Sequence, residues 1–212
     1  MTVEAKLDLI VERAFPIMPV MVIDDVEQAL PMGRALREGG ITVFEITLRT
    51  AAALDAITLL KKELPDCIVG AGTVINGEQF KQVMAAGGDF AISPGITDEL
   101  LSVAKDSGLP FIPGVSSPSH VMQALAYGFT TQKFFPAQQS GGTAMLSALS
   151  GPFSQVRFCP TGGININNAA DYLSLPNVFC IGGSWILPKD AIEAGDWATV
   201  TRLAKEITSS TR

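Results

Sequence analysis

Of the eight lysines in the sequence, Lys6, Lys61, Lys62, Lys81, Lys105 and Lys205 fall on polar faces of helical patterns, and Lys189 follows Pro188 in a loop. Only Lys133 falls inside a strand-like run, TQKFFPA, beside Phe134 and Phe135. A buried ammonium is costly unless it is paired or neutralised. Desolvation favours the neutral amine, which is the form that attacks a carbonyl carbon. The position predicts a nucleophilic lysine; the plainer reading is a strand-end lysine paired to a carboxylate for structure.

A second run, VFEITLR, offers the partners. Side chains alternate across a strand, so Val43, Glu45, Thr47 and Arg49 project to one side if the strand continues to Arg49. Phe44, Ile46 and Leu48 take the other side and pack on helices. Glu45 is then a general acid/base candidate, and Arg49 a clamp for a carboxylate, whose two oxygens match the guanidinium fork. A buried structural Glu–Arg pair is the competing expectation. An amine, a proton shuttle and a carboxylate clamp are the parts needed to form an imine with a 2-keto acid. The one histidine, His120, cannot supply the histidine-rich ligand set of a metal-dependent aldolase, so no metal is expected. No Walker A motif, GxSxG elbow or dinucleotide fingerprint occurs, and no cofactor is expected.

These residues need a frame. Short apolar runs recur as MPVMVI (18–23), ITVFEITL (41–48), CIVGAG (67–72), DFAISPG (89–95), PFIPGV (110–115), TQKFFPA (131–137), VRFCPTGG (156–163) and VFCIGGS (178–184). The interval is roughly 20 to 25 residues, with helical patterns between the runs. Glycines at Gly39-Gly40, Gly87-Gly88 and Gly108 mark helix ends. Strand–helix alternation with short connections implies parallel strands. Eight such units predict a (β/α)₈ TIM barrel, residues 1–212 forming a single domain whose N-terminal helix caps the bottom. A doubly wound open sheet is the alternative, but its usual GxGxxG turn is absent.

In a barrel the site belongs at the C-terminal strand ends, with phosphate commonly held after the seventh and eighth strands. Glycines cluster at both places. PTGGI (160–164) follows the seventh strand and is expected to open a helix; IGGS (181–184) follows the eighth. Small residues let backbone N–H groups approach an anion, and helix N-termini add a favourable dipole.

Composition bounds the rest. With 47% hydrophobic and 17% charged residues the chain has material for a large core. A net charge of −6 argues against nucleic acid, and no apolar stretch approaches the ~20 residues of a membrane span. The start MTVEAKLDLIVERAF lacks the apolar region of a signal peptide. Cys67, Cys159 and Cys180 each sit in an apolar run without a CxxC pair, and are expected as reduced core thiols of a cytoplasmic protein.

FEITLRT, GAGTV, AISPG, QKFFPA, GPFSQVRFCPTGGI and CIGGSW together resemble the 2-keto-3-deoxy-6-phosphogluconate (KDPG) aldolases of the bacterial Entner–Doudoroff pathway, from about residue 15 to 207. The resemblance implies that Lys133 is the Schiff-base lysine and Glu45 the acid/base. It implies that Arg49 and Thr73 hold the pyruvyl carboxylate, and that Pro94 and Phe135 line the pocket. Thr161, Gly162, Gly163, Gly183 and Ser184 would surround the phosphate of a 2-keto acid phosphate substrate. The resemblance also implies a homotrimer, with 4-hydroxy-2-oxoglutarate as an alternative or second substrate. A non-catalytic sugar-phosphate-binding barrel is the reading from outside enzymology. Two segments depart from the family pattern: SSPSH carries His120 where an acid is expected, and AQQSGG places Gln138 and Gln139 at the mouth in place of a form such as AEANGG.

Overall fold

Every apolar run of the sequence carries strand residues, and helices separate the runs. A computed structural model describes residues 1–210, leaving Thr211 and Arg212, the end of the expected domain, outside the described residues. The first half runs α1 (Val3–Ala14), β1 (Ile17–Met21), α2 (Val26–Glu38), β2 (Val43–Thr47), α3 (Ala53–Glu63), β3 (Ile68–Gly72), α4 (Gly77–Ala85) and β4 (Ala91–Ile92). It continues with α5 (Asp98–Asp106), β5 (Phe111–Ile112), β6 (Gly114–Val115), α6 (Pro118–Ala126), β7 (Thr131–Phe134) and α7 (Gly142–Ser150). The chain ends with β8 (Arg157–Pro160), α8 (Ala169–Leu173), β9 (Ile181–Gly183), α9 (Lys189–Ala194) and α10 (Trp197–Ser210). Side chains of Asp25, Asn76, Thr97 and Ser117 cap the helices that follow them by accepting backbone N–H bonds.

All strand pairings are parallel, in two sections: β5-β4-β3-β2-β1-β9 and β6-β7-β8. The continuous eight-stranded ladder expected from the spacing is therefore not present as one sheet. One seam is Pro113, which has no N–H to donate and separates β5 from β6. Its carbonyl still accepts from Lys133 N at 2.9 Å. At the other seam β8 and β9 meet through isolated bridges, Phe158 to Val178 and Thr161 to Gly182.

Strand parity sorts the core into two layers. Phe44, Ile46, Val69, Phe111, Phe134 and Phe158 pack with the helices. Met18, Val43, Ile68, Phe90, Ile92, Ile112, Cys159 and Cys180 form a second cluster, enclosed by the strands. Each large side chain fully buried in this way contributes about 1.5–3 kcal/mol. Helix α1 joins the inner cluster through Ile10 and Ala14, together with Val43 and Ile68, the first residues of β2 and β3. It thereby covers the N-terminal strand ends, held by Arg13 on the Asp66 carbonyl (2.7 Å) and Asp8 on Arg157 (3.1 Å). The three cysteines are buried thiols.

Candidate active site

Glu45 is at the middle of β2 and Lys133 near the end of β7, 88 residues apart in sequence. Both take the inward parity, and Lys133 Nζ donates to Glu45 Oε1 at 2.9 Å. Their side chains are 6% and 1% exposed, so this is an ion pair enclosed by protein. Such a pair is weak evidence for stability, because desolvating both charges offsets their attraction. The other carboxylate oxygen, Glu45 Oε2, is buried without a protein hydrogen-bond partner. One oxygen therefore holds the lysine while the other has no hydrogen-bond partner.

The neighbouring strands set the surroundings of this pair. Lys133 is in register with Gly114 on β6 and Cys159 on β8, and Glu45 with Gly70 on β3. Below lies the apolar inner cluster, including Cys159 and Cys180 with sulfurs 3.5 Å apart. Burial first, then the contact with Cys159 and the nearby Glu45 charge, push the Cys180 thiol well above its ordinary pKa, so it remains neutral. On the side of the strand ends, the Phe135 ring centroid lies 5.4 Å from Nζ.

Arg49 departs from the sequence expectation. Strand β2 stops at Thr47, two residues before Arg49, and Arg49 stands exposed in the following turn. Glu45 pairs with Lys133, which removes the expected Glu–Arg pair. Arg49 instead directs Nε to Thr47 Oγ1 at 3.2 Å, and Thr47 donates to the Met21 carbonyl at 3.0 Å. Among the described residues no carboxylate pairs with Arg49, so the ends of its fork are open to an anion.

Thr73 directly follows β3 and is the one non-glycine described residue with a left-handed backbone, φ 60°. A β-branched residue resists that conformation, which tightly sets the turn at the strand end. Pro94 follows β4, and its backbone packs against the Gly114 Cα.

The two glycine turns come together. The bridge from Thr161 to Gly182 places Thr161–Gly163 beside Gly183–Ser184, and the Thr161 side chain covers Gly182. Gly162 and Gly163 have φ of 103° and 74°, which side-chain-bearing residues rarely adopt. Contrary to expectation, they open no helix: α8 begins only at Ala169, after an asparagine turn in which Asn165 N–H donates to Asn168 Oδ1 at 2.8 Å. Any anion held here meets turn N–H groups and no helix dipole. Ser184 lines a cavity of about 310 Å³ with Val20, Val22 and Asp24. A groove of about 950 Å³ between α2 and α10 is larger, but Arg202 pairs with Glu206 and Lys205 with Glu38 there, and none of the residues above line it.

The sequence profile of the KDPG and KHG aldolases matches residues 9–203. The chain is 54% identical to the 2-dehydro-3-deoxy-phosphogluconate aldolase of Pseudoalteromonas atlantica, covering 90% of this chain and 89% of that protein. The chain belongs to the KDPG and KHG aldolase family. It is 53% identical to the KHG/KDPG aldolase of Escherichia coli K12, with 90% of each chain covered. A crystal structure of KDPG aldolase from Legionella pneumophila, with pyruvate captured at low pH as a covalent carbinolamine intermediate, matches with a TM-score of 0.91 at 52% identity. That match covers 93% of this chain and 96% of the Legionella chain.

In the two segments noted as departures, His120, Gln138 and Gln139 are all exposed. His120 is exposed in the first turn of α6, its Nδ1 3.3 Å from Ser116 Oγ. Gln138 is exposed but accepts a hydrogen bond from the buried Tyr172 hydroxyl at 2.9 Å. Sequence reasoning missed two residues of consequence. Gly72 leaves the space that the Glu45 carboxylate fills, a role signalled only by the period-two glycines of GAG. Tyr172 gave no signal at all, because its partner is 34 residues away.

Proposed function

We propose that this chain is a class I aldolase that cleaves 2-keto-3-deoxy-6-phosphogluconate to pyruvate and glyceraldehyde 3-phosphate through an imine on Lys133. The observation that carries the proposal is the buried contact of Lys133 Nζ with Glu45 Oε1 at 2.9 Å, with the buried Oε2 unpartnered. Glu45 takes a proton from the ammonium, and the free amine attacks the C2 carbonyl carbon, forming a C–N bond. The carbonyl oxygen takes a proton from the nitrogen that has just attacked, Glu45 delivers a second to it, and water leaves to give the protonated imine. That cation draws the C3–C4 bonding electrons toward nitrogen as a base removes the C4 hydroxyl proton. Aldehyde departs, the enamine is protonated at C3, and water releases pyruvate and the lysine.

Arg49 and Thr73 bind the pyruvyl carboxylate in this reading, and Pro94 and Phe135 line the pocket. Thr161, Gly162, Gly163, Gly183 and Ser184 hold the phosphate. A second activity on 4-hydroxy-2-oxoglutarate is supported by the name of the Escherichia coli relative and by the chemistry, since imine formation uses only the pyruvyl half. A non-catalytic sugar-phosphate-binding role would leave the buried amine–carboxylate pair without purpose.

The same reading takes the two sheet sections as one closed eight-unit barrel, supported by the bond from Lys133 N to Pro113 O and the β8–β9 bridges, and as a single domain. We infer a cytoplasmic homotrimer. No helix among the described residues is long and apolar enough to cross a membrane. Light scattering should give three times the 22.4 kDa chain mass.

Borohydride added with pyruvate tests the central claim. It should inactivate the protein and leave one three-carbon unit on Lys133. Lys133→Arg keeps the charge without a free amine, and should trap nothing. An adduct on any other lysine would sink the assignment.

A further inference from the structure

The turn Thr161–Gly163 has no helix behind it and draws its shape from neighbours. Ala137 N–H donates to the Thr161 carbonyl at 2.8 Å, and Gln138 N–H to the Gly162 carbonyl at 3.0 Å. The Gln138 side chain then lies directly against Gly163: a side-chain carbon on Gly163 would stand 2.5 Å from Gln138 Cβ and 3.2 Å from its Cγ. Gln138 is exposed, and a glutamine on a loop ordinarily samples several rotamers at an entropic cost when fixed. Here Tyr172 fixes it. The Tyr172 ring is 1% exposed, anchored in α8, and its hydroxyl donates to Gln138 Oε1 at 2.9 Å. The same hydroxyl lies 3.2 Å from where a side-chain carbon on Gly142 would stand, at the start of α7.

We propose that Gln138 and Tyr172 act as one positioning clamp that holds the Thr161–Gly163 turn in its anion-binding shape, so that they set affinity for the phosphorylated end of the substrate. The proposal rests on the phosphate reading of that turn. Neither residue touches the Lys133–Glu45 pair, so the clamp governs phosphate recognition and leaves imine chemistry alone. Burial raises the Tyr172 phenol above its ordinary pKa, which keeps the donor proton in place across neutral pH.

The test is a double-mutant cycle on Tyr172→Phe and Gln138→Met, both of which keep bulk and delete the hydrogen bond. The probe is 3-phosphoglycerate, its affinity measured by calorimetry, with borohydride trapping of pyruvate on Lys133 run in parallel. Each single variant should weaken 3-phosphoglycerate about three- to tenfold, the range expected for one lost neutral hydrogen bond. The double variant should be no weaker than either single one, because the two changes break one link. Pyruvate trapping should match wild type in all three. Unchanged 3-phosphoglycerate affinity, or losses that multiply in the double variant, would overturn the clamp. A parallel fall in pyruvate trapping would overturn it too, since that is the mark of general loosening. Failure of the wild-type protein to trap pyruvate would instead strike the aldolase reading, which the calorimetry does not use.

Discussion

The carboxylate of Glu45 occupies the space that a side-chain carbon on Gly72 would need: that carbon would meet Glu45 Oε1, and would stand 2.7 Å from Cγ and 2.8 Å from Cδ. Gly72 is fixed in β3 by its pairing with Thr47. In Gly72→Ala it is therefore Glu45 that must move. Overpacking of this kind costs about 1–3 kcal/mol of stability, which a protein of ordinary stability survives. Displacing a reacting group by about 1 Å lowers turnover on the order of 10²-fold. Aldol cleavage assayed beside a thermal melt checks this, and a folded variant with near-normal turnover would refute the packing argument.

Glu45→Gln separates proton transfer from shape. The amide oxygen still accepts from Lys133, so the fold should hold, while proton shuttling is lost. Turnover should fall by about 10²- to 10⁴-fold. Imine formation with pyruvate, followed by borohydride trapping over time, should slow as well. A normal rate would transfer the acid/base role to another group or to water. A large drop in melting temperature would show that the pair is mainly structural.

The parity of VFEITLR correctly placed Glu45 inward, because alternation holds while a strand lasts. It does not extend to Arg49, because β2 ends at Thr47 and nothing in the residue types marks that end. Lys133 was legible through its apolar neighbours, but its partnership with Glu45 joins strands 88 residues apart, which local patterns do not encode. The helix expected after TGG was displaced by the Asn165–Asn168 turn, whose side-chain bonds compete with helical ones. Strands β4, β5 and β6 shrank to two residues each, flanked by Pro94, Pro110 and Pro113, so the spacing predicted units better than it predicted a continuous sheet.

The imine reading makes the protonated nitrogen the electron sink, so divalent metal should be dispensable. Among the described residues no three His, Cys, Asp or Glu side chains are grouped to hold an ion. Prolonged EDTA treatment should leave cleavage unchanged. Loss of activity on chelation, restored by a divalent cation, would contradict this mechanism.

The phosphate end is tested best at Ser184, since Gly162 and Gly163 have backbones that a side chain would strain. Ser184 is exposed at the close of β9, beside the Thr161–Gly163 turn. Ser184→Asp places a carboxylate there, and Ser184→Asn controls for size. Two like charges about 4 Å apart near a protein surface repel by about 4 kcal/mol. Screening reduces that figure, yet about 1.4 kcal/mol already corresponds to tenfold. Ser184→Asp should therefore lower kcat/KM for the phosphorylated six-carbon substrate by more than tenfold, and Ser184→Asn by much less. Cleavage of unphosphorylated 4-hydroxy-2-oxoglutarate should change little, because its pyruvyl end meets Lys133 and Arg49. Equal losses on both substrates in folded Ser184→Asp would mean that phosphate binds elsewhere, and that the paired glycine turns serve only the chain's own geometry.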